Sequence, residues 1–393
     1  MEESYSHIVV GAGALGTATA YRLARGGARR VLVIEQFALG HGFGASEDHS
    51  RIIRHTYHAA KYATLTQAAY DAWAEVEEES GVRLVHKTGG LDLAVSGTEA
   101  AEVELRNYRA AMDVSGVGYE VLDAVEIRKR WPQWRIGDDV EGLYQADGGI
   151  LDIRKANAVH IALARALGVE FLPETAVTDL ISTDSHVTVV TDRGRFTAES
   201  VVLAVASWTP NLLPRLGIHW PISLSQEQVC YFVPSVLRDF AMERFPVWIW
   251  HAEQVWYGFP MYGETAIKVA RDLSGRFVTW DTRSYVPDPA ETARVAEFIA
   301  ELMPTGAGPE LLSKTCVYDM PPDRDFVLDV LPGHPRIAIG IGSGHAGKFA
   351  ALIGQILADL ATTGSTPYPI DAFRADRPAL TDPGFEPAFR LVG

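Results

Sequence analysis

The feature that most restricts this chain is a glycine signature near its start. Gly11, Gly13 and Gly16 stand as G-A-G-A-L-G after the apolar run His7–Val10 and before an apolar helical pattern from about Leu15 to Arg25, and a second apolar run, Val31–Glu35, follows. Strand, glycine turn, helix and strand make a βαβ unit, whose parallel strands need helices on the faces of their sheet. In such a turn Gly11 lets the chain reverse tightly, Gly13 lets a pyrophosphate approach the backbone, and Gly16 lets helix and strand pack closely. The helix N-terminus presents partial positive charge to the anion. Glu35 closes the second strand at the distance expected of an acid that accepts hydrogen bonds from ribose hydroxyls and repels a 2′-phosphate. These elements in register point to a dinucleotide, and the motif does not separate FAD from NAD.

Further along, a polar helix around Glu75–Glu79 gives way to an alternating strand from Lys87 to Val95, which begins a different layer. A turn and Ala-rich helix at Gly148–Leu167 and an apolar strand at Val201–Ala206 mark a return to the first layer. Between about Pro221 and Lys314 lie strands rich in Trp, Tyr and Phe, such as Val247–Trp250 and Trp256–Phe259, with little helical period; they predict an antiparallel sheet that roofs a ligand site. Strand, glycine turn and helix recur at Ile337–Gly342 and Gly347–Leu360, with Thr362–Gly364 closing the helix. The expected fold class is therefore α/β. A Rossmann-like cofactor domain (1–86, 145–220 and 315–393) is interleaved with an α+β substrate domain built on a largely antiparallel sheet (87–144 and 221–314).

Composition narrows the class of partner. The chain has 393 residues, 47% of them hydrophobic, enough for a large core. Lys+Arg 35 against Asp+Glu 50 leaves a net charge of −15, which argues against nucleic acid or an anionic membrane as the main partner. The two cysteines, Cys230 and Cys316, make neither a disulfide framework nor a CxxC pair, and a reducing compartment, the cytoplasm, is expected. Glu2 and Glu3 stand where a signal peptide would carry basic residues, and no apolar run is long enough to span a bilayer. His55, His58 and His345 lack acidic or cysteine partners at ligand spacing, so no metal is expected.

Several motifs beyond the glycine turn occur in order: S-R-I-I-R-H-T-Y at Ser50–Tyr57, the segment Tyr257–Lys268, K-T-C-V-Y at Lys314–Tyr318, P-P-D-R-D-F-V-L-D with P-G-H-P after it, and S-G-H-A-G-K-F at Ser343–Phe349. Together they resemble the monomeric sarcosine oxidase and N-methyltryptophan oxidase family from end to end. The resemblance implies FAD as cofactor, with Cys316 as the thioether link to the flavin and Gly344 and Lys348 in the loop that meets it. It implies that Arg51 lies against the flavin, that Arg54 and Lys348 hold a substrate carboxylate, that Tyr257 and Tyr318 wall the pocket, and that Lys268 activates oxygen. Those residue types suit the work: a guanidinium fork and an ammonium for a carboxylate, and a fixed cation where charge grows on oxygen.

The chain also departs from that family. Arg271-Asp272 stands where sarcosine-type members carry a histidine, Glu47-Asp48-His49 replaces a histidine pair, and Ala346 and Gly347 interrupt S-G-H-G-F-K-F. Sarcosine is accordingly expected to be a poor substrate. The expected activity is oxidation of a secondary amine or an N-substituted or cyclic amino acid by a monomer, with O2 reduced to H2O2. A flavin dehydrogenase using another acceptor and a non-catalytic flavoprotein subunit are the alternatives.

Overall fold

The computed structural model describes residues 3–391. The glycine turn does join a strand, Glu3–Val10, to a helix, Ala14–Arg25, and then to a strand, Val31–Ile34. These strands sit at the centre of a sheet whose parallel part runs Ile337–Ile341, Gly194–Leu203, Glu3–Val10, Val31–Ile34, Glu170–Leu172. Antiparallel strands extend it: the hairpin Val177–Ser182 and Val187–Thr191 on the first half of Gly194–Leu203, and Val327–Val330 on Ile337–Ile341. Continuous apolar runs fit this position because both faces are buried. Val9, Val31, Val33 and Val202 pack with the helices Ala14–Arg25, Ile153–Ala166 and Ala350–Thr363, while Ile8, Val10, Leu32 and Ile34 face the core on the other side. A Cβ on Gly354 would stand 2.6 Å from that of Ala18, so the first and last of those helices cross almost backbone to backbone.

A second sheet runs Arg276–Val278, Ser223–Phe232, Ile267–Arg271, Trp256–Phe259, Val247–His251, Gly90–Val95, Val140–Gln145, Glu120–Asp123, and Glu310–Met320 pairs with Ser223–Phe232 along its length. This sheet is mixed rather than wholly antiparallel: while its other pairings are antiparallel, Gly90–Val95 runs parallel to Val247–His251. Those strands come from separate passages of the chain, with no hairpin to impose an antiparallel register. The reading of 221–314 as strands with little helical period also missed the helix Pro289–Leu302. Its Asp288 cap accepts from the Ala290 N–H at 2.9 Å, and its Val295 and Ile299 pack against Trp248 and Trp250.

A small antiparallel sheet, Ser50–Ile53 with Gly149–Asp152 and Val85–Lys87, joins the two bodies. Strand alternation lets it face both ways: Ile53 and Leu151 enter the core of the first sheet, while Ile52 and Ile150 pack with Val247 and Phe259 of the second.

His160, on the helix Ile153–Ala166, is a titratable group buried in the first core. Its ring stacks on Tyr21 and Trp73, both ring nitrogens lack partners, and burial, aided by Arg22, lowers its pKa to about 3. The unfolded chain therefore binds a proton that the folded chain refuses, and stability falls as pH drops below the unfolded value of about 6.5. His160→Phe should flatten the pH dependence of the unfolding free energy between pH 6.5 and 4.5, removing up to about 1.4 kcal/mol per pH unit, as read by denaturant titration.

Candidate active site

At the carboxyl ends of the parallel strands a cleft of about 490 Å³ opens between the glycine turn, Glu35 and the loop after Gly194–Leu203. Gly11 has φ +100, and a Cβ there would stand 2.4 Å from the Ala204 carbonyl oxygen; a Cβ on Gly16 would stand 1.9 Å from that of Gly11. The turn can exist only without side chains at both places. Gly13 caps the helix, and the Ala14 N–H donates to Ser46 Oγ at 2.8 Å, so an acceptor already stands at the helix N-terminus. Glu35 Oε2 accepts from the Ala12 N–H at 2.8 Å and Oε1 from the Phe37 N–H at 3.0 Å. Burial would raise its pKa, but hydrogen bonds from His41, Ala12 and Phe37 hold the carboxyl below its ordinary value. The bare glycine wall, the helix end and this ionised acid fit a dinucleotide.

The cleft continues past Ala45, Glu47, Arg51, Gly344 and Gly347 into a second chamber of about 720 Å³, whose walls share those five residues with it. Arg51 marks the bend. It rises from the small bridging sheet, and its guanidinium donates to the carbonyls of Ser50, Ala45 and Glu47 at 2.8, 2.8 and 2.7 Å. Gly344 has φ +75, and a Cβ there would stand 2.5 Å from the Tyr318 ring, so this loop too must be bare to pack on the wall. Arg54, Tyr257, Lys268, Asp272, Cys316, Tyr318 and Lys348 all line the chamber. The structure thus gathers these residues from the small bridging sheet, the second sheet and a C-terminal loop.

Ion pairs sort the charges. Arg54 donates to Asp92 at 2.7 Å, and Asp92 also meets His251 at 3.0 Å. Asp272 is held by both terminal nitrogens of Arg324 at 2.9 Å, while its neighbour Arg271 points away to Glu291. Lys348 differs. Its Nζ donates to the Tyr57 hydroxyl at 2.9 Å and the His345 carbonyl at 3.1 Å, with no carboxylate paired to it among the described residues. Burial first, and then Arg54, push its pKa well below the ordinary lysine value. A lysine buried beside Arg54 without a carboxylate in contact is poised to take up a proton when an anion comes near it.

The chain matches the model of the FAD dependent oxidoreductase family (DAO) over residues 6–360. It belongs to that family. Monomeric sarcosine oxidase from Bacillus sp. (strain NS-129) is 30% identical over 385 residues, 97% of this chain and 98% of its own length. N-methyl-L-tryptophan oxidase from Salmonella arizonae is 29% identical over 379 residues, 95% of this chain and 99% of its own. The solved structure of NikD, an unusual amino acid oxidase essential for nikkomycin biosynthesis, superimposes with a TM-score of 0.83 at 29% identity, covering 95% of this chain and 97% of that one. The protein is thus an FAD-dependent oxidoreductase of the sarcosine oxidase-like kind.

Several residues of this flavoenzyme's site carry no local signal in the sequence. Asn157, mid-helix, accepts from the Thr17 hydroxyl at 2.6 Å and donates to the Ala12 carbonyl at 3.3 Å, bracing the glycine turn from behind. Asp319 is buried in the cleft wall with Oδ2 unpartnered, and burial raises its pKa to about 6. Glu227, directly across the strands from Cys316, is raised by burial to about 7 although Ser225, Ser274 and Gly275 donate to it. The Cys316 thiol is pushed up to about 11 by burial and Glu227, against Arg51, Lys268 and Arg283.

The state of Lys348 gives a test. A carboxylate in the chamber restores its charge, so binding takes up a proton wherever the pH lies above the lowered pKa, and affinity falls by up to about tenfold per pH unit there. Butyrate, which has no amine to titrate, followed by flavin absorbance, should bind more tightly as pH falls. Lys348→Met should abolish that slope and cost about 2–5 kcal/mol of binding.

Proposed function

We propose that the chain is an oxidase of a secondary amine or of an N-substituted or cyclic amino acid, and that the chamber beyond Arg51 holds this substrate by its carboxylate. One observation carries the reading: the dinucleotide cleft opens at Arg51, Gly344 and Gly347 into a chamber whose Lys348 is buried with no carboxylate in contact among the described residues. FAD, when bound, supplies the acceptor for the hydride leaving the carbon next to the substrate nitrogen and passes the electron pair to O2, which with two protons gives H2O2. The substrate, having lost a hydride and a proton, departs as an imine that water hydrolyses.

The protein's own residues bind and orient. Gly11, Gly13, Gly16 and Glu35 hold the dinucleotide, with Arg51 and Gly344 at the bend. Arg54 and Lys348 take the carboxylate, Tyr257 and Tyr318 wall the substrate, and Lys268 faces oxygen. Arg54, Arg324 and Lys348 together disfavour an ammonium, so the substrate nitrogen is kept in the neutral form that has a free electron pair. A chamber of about 720 Å³ lies within the ~300–1,000 Å³ of sites that hold drug-sized ligands, and the Asp272–Arg324 pair on its wall offers polar partners to a substituent. This supports a substrate larger or more polar than sarcosine. The division of the chain into a cofactor body and a substrate body, a monomeric state and a cytoplasmic site of action complete the proposal.

The experiment is a panel of N-methyl, cyclic and N-alkyl amino acids and simple amines, offered aerobically to the purified yellow protein with peroxide as the readout. Peroxide should accompany turnover, and a larger or cyclic substrate should give a higher kcat/KM than sarcosine. Turnover with an artificial acceptor and no oxygen uptake would instead favour a dehydrogenase.

Cys316 is proposed as the residue that would hold the flavin covalently, its sulfur replacing one hydrogen of the 8α methyl group, with the proton lost to water and the electron pair left on the flavin until O2 takes it; Arg51, Lys268 and Arg283 favour the thiolate electrostatically. Acid-denatured, flavin-replete protein should therefore show by mass spectrometry the polypeptide plus one FAD, and Cys316→Ala should show bare polypeptide. Bare wild-type polypeptide would sink the covalent link without touching the oxidase reading.

A further inference from the structure

A lysine in an apolar wall loses its charge unless something opposite holds it. Lys268 rises from the strand Ile267–Arg271, is 3% exposed, and has its Nζ 4.6 Å from the centre of the Phe259 ring. That Nζ lies 2.5 Å from Asp48 Oδ2 and donates to the carbonyl and hydroxyl oxygens of Ser50 at 3.0 and 3.3 Å. Asp48 is itself 4% exposed and accepts at Oδ1 from the hydroxyl of Tyr231, the residue across the strands from Lys268. The backbone has been bent to allow this. Asp48 stands at φ +82, a conformation uncommon for L side chains and most open, after glycine, to Asn and Asp. A turn that accepts such a conformation to bury a carboxylate against a lysine is built for the pair.

We propose that Asp48 is a positioning residue for the oxygen half of the reaction, holding Lys268 as an ammonium at a fixed point on the chamber wall. The inference rests on the reading of Lys268 as the cation that faces oxygen. Negative charge grows on O2 as it takes its first electron, and only a lysine that is both protonated and immobile is preorganised for it. The charged and titratable groups facing the pair are Arg51 from the bridging strand, Tyr231 from Ser223–Phe232, and Lys314 and Cys316 from Glu310–Met320; Lys314 Nζ is 3.6 Å from Asp48 Oδ1 and 3.4 Å from Glu47 Oε1. Burial and Arg51 pull the lysine's pKa below its ordinary value, and the carboxylate 2.5 Å away opposes them more than the Cys316 thiol does, so Asp48 is the group best placed to keep it charged.

Asp48→Asn keeps the size, the tolerance of positive φ and a partner for Tyr231, while Asp48→Gly removes the carboxylate and relieves the backbone. Two readouts are taken on flavin-loaded protein from pH 6 to 10. In stopped flow, anaerobic reduction by substrate should be unchanged in both variants. Reoxidation by O2 should be slower than in wild type and fall by about tenfold per pH unit above the pKa of the unpartnered lysine, where wild type stays flat. In thermal melting, Asp48→Asn should be destabilised most at low pH and recover as pH rises, because its folded lysine sheds a proton that the unfolded chain still binds. The double variant Asp48→Asn with Lys268→Met should lose that recovery. Reoxidation in Asp48→Asn as fast as or faster than wild type with a flat profile overturns the proposal, since the carboxylate would then be idle or damping the cation. Melting of Asp48→Asn parallel to wild type at every pH overturns it as well. Lys268→Met alone separates the two readings: reoxidation at the wild-type rate in that variant defeats the oxygen role of the lysine, while the melting profiles still decide whether Asp48 keeps it charged.

Discussion

The approach of Gly16 to the Gly11 carbonyl is the contact on which the rest of the site depends. With 1.9 Å between that oxygen and a hypothetical Cβ, the helix Ala14–Arg25 can seat its N-terminus over the strand Glu3–Val10 only because both positions are bare. That seat aims the helix dipole and its free N–H groups into the cleft. It also fixes where the other helices go: Ala350–Thr363 crosses the first helix at Ala18 and Gly354, and Ile153–Ala166 brings Asn157 to the back of the turn. A side chain at Gly16 would move helix, cleft and C-terminal loop together.

From that seat the geometry passes to the chamber through the small sheet. Ser50–Ile53 belongs to both bodies, with Ile53 in one core and Ile52 in the other, so Arg51 and Arg54 are placed by packing on two sides at once. A carboxylate clamp and a junction between two cavities need relative positions held to a fraction of an ångström. A strand pinned at alternate residues by two cores meets that need better than a loop.

What the sequence made legible was whatever is local. The strand, glycine turn and helix at the start, the aromatic strands Val247–His251 and Trp256–Phe259, and the C-terminal helix ended by Gly364 at φ +76 all announce themselves within a few residues. The helix Pro289–Leu302 had signals too, Asp288 as cap with Pro289 after it and Val295 and Ile299 four apart, but these were outweighed by the aromatic strands around them. The parallel pairing of Gly90–Val95 with Val247–His251 had none, because register between distant segments is set by the packed whole. The same division holds in the site. Residues inside contiguous motifs could be named from the sequence. Their partners Asp92 and Glu227 act across the fold, and Asp48 stood out only as a departure from a pattern.

The two buried lysines of the chamber show why partners matter as much as the residues they hold. Lys268 has a carboxylate at 2.5 Å, and Lys348 has only a hydroxyl and a carbonyl. Burial costs both the charged form, and among the described residues only the first has a carboxylate in contact to offset that cost. Under the proposed function, the lysine paired to Asp48 has a charge set by the fold, suited to a reactant such as O2 that brings no charge of its own, and Lys348 has a charge set by its ligand, suited to a substrate that arrives with a carboxylate. In that proposal selectivity and catalysis divide between the lysine that the protein pairs with its own carboxylate and the one it leaves for the substrate to pair.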